Sequence, residues 1–475
     1  MSSGLLFSWL FILCGVVFVL PTLGLNASLA WHDQQRLGQI FLIGLSSAWV
    51  LVSRGGGRLD FSALWLLLGI LVLAILSSAL ASQSLWAFTE LALFIGCFSM
   101  VCMVRDFRAS AGRRVDLFLW WLLVAVVIGV VFKFLVSYIS ALLLRGPVDS
   151  LLLFDGFSNL RFLGQFQTLG LPLLILPALV QRRWVGWGIV LCSVWWFSTI
   201  ASGTRASWLG VFCAVFLIPL LFKDWKRFSL LQVVCFFIGL GLYNFLMGVV
   251  PGVLDLPTGN LAGDRLSLSM SGRESLWRNA WNMFLESPWF GAGPMNFADV
   301  AHPLGAHPHQ AILQWASEWG GVSTLMIVLL LGRSAWFFYE GAKKYQKCDP
   351  PLGALKVCLM ASLIASTVHA MFDGSLVMPY TQIWLAILAG WVWGIHSEQQ
   401  SKVRGRFLSF QSALSILALL LLVFVAARDV PRIMTESRQD QAVQACWREA
   451  PRFWYNGIIK EKPKSGCASL QEANH

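Results

Sequence analysis

Apolar runs recur along the chain at about 5–25, 37–53, 61–82, 86–104, 117–138, 162–180, 185–201, 207–222, 229–250, 321–340, 353–372, 380–396 and 409–427. Each comes close to the roughly 20 apolar residues a helix needs to cross a bilayer. The pattern predicts an all-α polytopic membrane protein with about thirteen transmembrane helices. The first run has neither a basic segment before it nor a small-residue exit after it, so it reads as a retained span, not a cleaved leader. The largest interruption follows the ninth run. Within it, Ser271–Gly321 carries Arg273, Glu274, Arg278, Glu286, His302, His307, His309 and Glu318, with Trp277, Trp281, Trp289, Trp315 and Trp319 among them. A polar, tryptophan-rich insert between apolar spans is where such a protein places interfacial chemistry.

Charge fixes an expected orientation. Arg54 and Arg58 follow the second run, Arg105, Arg108, Arg113 and Arg114 the fourth, and Arg182 and Arg183 the sixth. Lys223, Lys226 and Arg227 follow the eighth, Lys343, Lys344 and Lys347 the tenth, and Lys402, Arg404 and Arg406 the twelfth. The odd exits hold only isolated residues such as Arg145, Arg161 and Arg205. The positive-inside rule then predicts a cytoplasmic N-terminus, with the 251–310 insert and the tail after Arg428 on the outer side. Four regions are expected: an N-terminal transmembrane bundle (1–250), an outer catalytic loop with short amphipathic helices (251–320), C-terminal transmembrane helices (321–427) and an outer tail (428–475).

Composition changes this picture little. The 475 residues are 57% hydrophobic and 12% charged, far from a soluble domain's balance. The net charge of +11 sits in short loops between spans, so it is assigned to topology and no nucleic-acid partner is expected. Eight of the ten cysteines lie in or beside apolar runs without a C-x-x-C pattern. Cys446 and Cys467 lie in the polar tail. In an oxidising compartment they can form a disulfide, and two free thiols fit equally well.

No P-loop, H-E-x-x-H or Asp-rich cluster occurs, which disfavours a nucleotide-driven pump and a zinc hydrolase. What remains is arginine and histidine on the outer side. Arg205, in Ser202-Gly-Thr-Arg-Ala-Ser207, must snorkel, pair or bind an anion. Arg273 opens a helix-like segment behind Ser271 and Gly272; a guanidinium beside a helix N-terminus suits phosphate, and a pairing with Glu274 suits it equally. His309 precedes Ile312, Leu313, Trp315, Ala316 and Trp319, a short amphipathic helix ending at Gly320-Gly321. A histidine at that mouth can act as general base, and His307, two residues away, can take the same role.

At these residues the chain resembles the O-antigen ligase superfamily, bacterial membrane glycosyltransferases that use undecaprenyl-diphosphate-linked glycans. Ser-Gly-Thr-Arg205-Ala-Ser resembles the family's S-R turn. Gly272-Arg273-Glu-Ser-Leu-Trp277 continuing through Glu286-Ser-Pro-Trp-Phe-Gly291-Ala-Gly293-Pro-Met-Asn296-Phe297 resembles its G-R-x-x-x-W … S-P-x-x-G-x-G-x-x-x-F segment. His309-Gln310, Leu313, Glu318-Trp-Gly320 and Val322 resemble its H-[N/S/Q]-x-x-L-x-x-x-x-E-x-G signature, with Gln310 where asparagine is commoner. The resemblance implies metal-independent, cofactor-free en bloc transfer at the periplasmic face of the inner membrane. It makes Arg205, Arg273 and His309 the central residues. Arg161, Gln165, Trp277, His307, Gln310, Glu318 and Asp373 are the expected substrate-binding residues, with His302 a further candidate.

Acceptors in this superfamily differ. The His307-Pro-His309 doublet, Arg161-Phe-Leu-Gly-Gln165-Phe-Gln167 and Asp373-Gly-Ser-Leu-Val-Met-Pro379-Tyr380 look more like the protein O-glycosylating branch, which includes pilin glycosylation ligases. A pilin-like Ser/Thr acceptor is therefore expected, with a lipid A–core ligase and an O-antigen polymerase as alternatives. A transporter or lipid flippase would instead use ionisable residues deep in spans, for which Lys133 and His369 are the candidates.

Overall fold

The computed structural model describes residues 29–52, 61–259, 261–264, 273–299, 305–345, 349–397, 407–436 and 452–455. The first apolar run, His302, Cys446 and Cys467 lie outside them. All twelve other runs are helical. The principal helices are α1 (Trp31–Val52), α2 (Phe61–Leu80), α3 (Ser84–Ala111), α4 (Arg113–Leu143), α5 (Leu160–Leu174), α6 (Leu176–Val180), α7 (Val185–Ala201) and α8 (Arg205–Leu221). They continue as α9 (Lys226–Asn244), α10 (Arg273–Glu286), α11 (Ala311–Tyr345), α12 (Pro350–Ala370), α13 (Pro379–Ser397) and α14 (Phe407–Glu436). No strand occurs among the described residues, only an isolated bridge between Val148 and Thr258. Among the described residues, ten spans are long and apolar enough to cross a membrane by length and composition. Of the remaining apolar runs, α8 is shorter and α13 opens with the polar Tyr380-Thr-Gln382.

The run at 162–180 bends between α5 and α6, where Pro172 and Pro177 flank Ile175. The long α11 is two helices meeting at Gly320, whose φ of 81° and ψ of 163° are not helical. The amphipathic segment expected to end at Gly320-Gly321 does so.

The core forms where α3 packs on α1, α13 and α14, and where α12 packs on α5 and α8. Ion pairs and polar ties mark two opposite ends. At one, Arg108 and Trp391 both donate to Asp116, and Arg113 pairs with Asp349. At the other, the start of α1 meets the α4–α5 loop through His32 N and Ser158. The α2–α3 turn meets Asn296 there, and the end of α12 meets His309. Arg113 meets Asp349, Arg227 meets Ala178 O, and Arg113 and Arg183 line one groove, so these basic exits share one end of the bundle.

Candidate functional site

The site is built from helix ends at the non-basic end of the bundle. Its frame is a backbone-to-backbone contact between the two glycine-rich motifs. Ala292 N donates to Ser317 O (2.9 Å), Gly293 N to Glu318 O (2.9 Å) and Gly321 N to Pro288 O (2.8 Å). A Cβ on Gly320 would stand 2.2 Å from Trp289 O, and one on Gly291 2.4 Å from Glu318. Both glycines have positive φ, so the spacing of these motifs reflects a contact that only glycine permits. Asn296 extends the frame, its Oδ1 accepting from Gln83 N (2.9 Å) and Ser82 Oγ (3.0 Å).

His309 stands at the mouth of α11 with a φ of 54°, a conformation non-glycine residues rarely hold without surrounding constraint. Three contacts supply that constraint. Trp277 Nε1 donates to Pro308 O (3.0 Å), His309 N donates to His307 Nδ1 (3.3 Å), and Gln310 Oε1 caps α11 by accepting from Leu313 N. The ring of His309 bonds through Nδ1 to Asp373 Oδ1 at 3.2 Å. Asp373 is buried just beyond α12 and also accepts from Gly374 N (2.8 Å), while its Oδ2 lies 3.4 Å from His369 Nε2. His369 Nδ1 in turn meets Thr168 Oγ1 at 2.7 Å, and that oxygen lies 2.8 Å from Gly164 O. Burial would push the Asp373 carboxyl up, but the hydrogen bonds and charges of His309 and His369 outweigh it and hold Asp373 well below the usual carboxylate range. An ionised Asp373 accepts a hydrogen bond from Nδ1–H of His309, which fixes that tautomer and leaves Nε2 as the basic nitrogen.

The two histidines of the doublet differ in setting. Their rings are 4.1 Å apart, but His307 is buried against Gly374 with Nδ1 turned to backbone, whereas the His309 side chain stays 17% exposed. Exposure separates the two where sequence spacing alone did not.

Asp373, Arg161 and Arg205 all act through charge on Arg273. Arg161 lies in the first turn of α5 behind the Asn159 cap, Arg205 opens α8 and Arg273 opens α10. Burial lowers the proton affinity of Arg273; the charge of Asp373 raises it, and those of Arg161 and Arg205 lower it further. The guanidinium stays charged regardless. Among the described residues neither Arg161 nor Arg273 has a carboxylate within ion-pair distance. Three helix N-termini, three cations and one carboxylate make a net positive cradle able to receive a diphosphate.

Other expected residues have structural partners. Glu318 is fully buried, accepting from Phe297 N (3.1 Å) and from both terminal nitrogens of Arg452 (2.8 and 2.7 Å). Gln165 is buried and accepts from Thr381 Oγ1 (2.7 Å), with Nε2 left without a hydrogen bond among the described residues.

Arg452 was not among the residues expected at the site. With Phe453, Trp454 and Tyr455 it forms a short strap that returns into the bundle. Its guanidinium is shared between Glu90 and Glu318 and also reaches Ala306 O (3.3 Å). Those two carboxylates outweigh the opposing effect of burial and raise the Arg452 proton affinity. Arg36 secures the strap by donating to Phe453 O (3.0 Å) and Arg452 O (3.3 Å), and to Val377 O (3.0 Å) below it. Trp454 Nε1 bonds Asp429 (2.9 Å) and Tyr455 N bonds Asp33 (2.7 Å). One signal was available: Glu90 is an ionisable residue within an otherwise apolar helix.

No curated protein matches the chain. Residues 187–328 match the family model described as O-Antigen ligase, a stretch holding Arg205, Arg273, His307, His309, Gln310 and Glu318, with Arg161 and Asp373 outside it. Over that stretch the chain is similar to the O-antigen ligase family, and the matched residues lie within a bundle of helices long and apolar enough to cross a membrane.

Proposed function

We propose that the protein transfers a glycan en bloc from an undecaprenyl-diphosphate donor to an acceptor hydroxyl at the periplasmic face of the bacterial inner membrane. The observation that carries this reading is Asp373, which holds His309 by a hydrogen bond and lies within electrostatic reach of Arg273, itself coupled to Arg161 and Arg205. Base and anion cradle thus share one carboxylate. Nε2 of His309 takes the acceptor's hydroxyl proton, and the freed oxygen attacks the anomeric carbon. The bond from that carbon to the diphosphate oxygen breaks, and undecaprenyl diphosphate leaves with its charge held by the arginines. Arginine supplies the charge stabilisation, so the step is metal-independent. The basic end of the bundle is assigned to the cytoplasm by the positive-inside rule, which puts the site in the periplasm.

The preferred acceptor is a pilin-like Ser/Thr, on the sequence resemblance already described. A transporter reading fits less well. Lys133 pairs with Asp155 (3.1 Å) and lies over the Trp31 ring, while His369 is joined to Asp373. Both candidate intramembrane charges therefore belong to the site end of the bundle, not to a path across it.

The test is deletion of the gene in its host, complemented with wild type, Arg273→Ala or His309→Ala, reading pilin mass beside the lipopolysaccharide ladder. Loss of a glycan mass from pilin with an intact ladder, restored by wild type alone, is expected. Loss of long ladder bands with unchanged pilin mass moves the acceptor to lipid A–core or to a growing chain. Full complementation by both variants refutes the mechanism.

A further inference from the structure

The end of the bundle opposite the site carries a feature the ligase reading does not use. A groove of about 750 Å³ runs between α4, α6, α7 and the start of α12. Its walls are almost wholly apolar and include Ile128, Leu176, Leu191 and Leu355, with the exposed rings of Trp121 and Trp187. Its mouth is basic. Arg113 and Arg183 both line it, and Arg114 and Arg182 adjoin them in sequence. Asp116 also lines the groove, but it accepts from Arg108 Nε (2.6 Å) and Trp391 Nε1 (2.6 Å), so its charge is compensated from within the bundle. Arg113 is paired with Asp349. Arg183 is exposed, bonds the Gln181 side chain (2.8 Å) and lies over the Trp184 ring; among the described residues no carboxylate pairs with it.

We propose that this groove binds an anionic phospholipid, its phosphate on Arg183 and Arg113 and one acyl chain between α4 and α7. Length, polarity and charge each support that occupant. From Arg113 to Ile128 the groove follows α4 for about 22 Å, at roughly 1.5 Å per residue, which is deep into one leaflet and matches an acyl chain rather than a headgroup alone. The walls offer that chain almost no polar partner, whereas the mouth offers two guanidinium groups, which suit phosphate. Exposed tryptophans beside them mark headgroup level. Basic pockets between transmembrane helices recognise anionic headgroups in this way. The inference does not depend on the ligase chemistry.

The experiment is native mass spectrometry of the full-length protein in detergent, titrated with phosphatidylglycerol or phosphatidylcholine. Wild type is expected to retain phosphatidylglycerol at lower lipid concentration than phosphatidylcholine. Arg183→Ala should weaken phosphatidylglycerol binding by about fivefold, the share expected of one arginine near a lipid surface, and weaken phosphatidylcholine less, because its choline cation offsets the phosphate. Arg183→Gln serves as a second variant with the same expected loss. Ile128→Trp, a change at an exposed position inside the groove, should reduce adducts of both lipids. Equal retention of the two lipids by wild type overturns the proposal, as does unchanged phosphatidylglycerol binding in the Arg183 variants or in Ile128→Trp.

Discussion

Replacing Asp373 by asparagine tests the site at its most connected atom. The change keeps size and shape but removes the charge that accepts from His309 (3.2 Å) and faces His369 (3.4 Å). An asparagine amide can donate to Nδ1 of His309, which moves the ring proton to Nε2 and removes the base. Loss of general-base catalysis is worth about 10²–10⁴ in rate, and the corresponding aspartate-to-asparagine change in a serine protease triad gives a loss at the upper end of that range. Donor binding should respond in the opposite sense. Asp373 is the carboxylate that opposes the mutual repulsion of Arg273, Arg161 and Arg205, so its neutralisation leaves the cradle more positive. The expected result for Asp373→Asn is therefore a kcat lower by about 10²–10⁴ with a donor KM unchanged or lower. The assay is transfer by purified protein from a lipid-diphosphate glycan to an acceptor peptide, with initial rates measured over pH 5–9. The pH dependence has a defined sign. Asp373 is held below its ordinary value, so the stability it contributes is fully present above the unfolded value of about 3.9. It is lost only as pH falls through the still lower folded value. Asp373 thus stays ionised throughout the assay window. A variant with wild-type kcat, or one whose whole defect lies in a raised KM, refutes the assignment of Asp373 as the group that orients His309.

Three further outcomes follow from the same geometry. Arg273→Ala should raise donor KM and lower kcat together, and Arg273→Lys should restore only part of the activity because a point charge replaces a planar fork on the diphosphate; equal rescue by lysine would argue against bidentate contact. Arg452→Ala leaves Glu90 and Glu318 buried without their shared partner, so it should destabilise the protein by about 3–5 kcal/mol, read as a fall in thermal midpoint in detergent; an unchanged midpoint would show that the strap does not bear on the fold. Gly320→Ala forces a side chain into a φ of 81° and to within 2.2 Å of Trp289 O, and should destabilise by at least about 1–3 kcal/mol with loss of transfer; an active, stable alanine variant would show that the contact between the two motifs can open.

Helix positions were legible in the sequence because the bilayer requirement acts on each run separately. A length of apolar chain, a basic exit and a glycine stop are local signals, and Gly320, where the amphipathic helix was expected to end, is where the structure breaks. The local half of the site was legible for the same reason. His309 sits before an apolar-periodic helix, and Arg205 and Arg273 open helices, so each announces itself within a few residues. What the residues do to one another was not legible. His307 and His309 look equivalent as a doublet, and only the packing of Gly374 against one ring and the carboxylate of Asp373 against the other separates them. Asp373 stands 64 positions from its partner, and nothing in the intervening chain specifies that pairing.

The strap is the clearest case, because its physics is wholly non-local. In the sequence Arg452 is one more charge in a polar tail. In the structure it joins Glu90 and Glu318 across separations of 362 and 134 residues. A carboxylate left in that interior without such a partner would carry a large desolvation cost. Glu318, read from the motif as a substrate contact, therefore has a second physical explanation. It lies in the helix that His309 begins, and the cation fixing it also holds the carbonyl of Ala306, three residues before that histidine. Arg36 then ties the strap's backbone to Val377, four residues beyond Asp373. The strap thus links the loop carrying His309 and the loop carrying Asp373, whose 3.2 Å contact the proposed chemistry requires. On the proposed chemistry, Glu318 serves transfer without touching a substrate, by helping to hold the loop that carries His309.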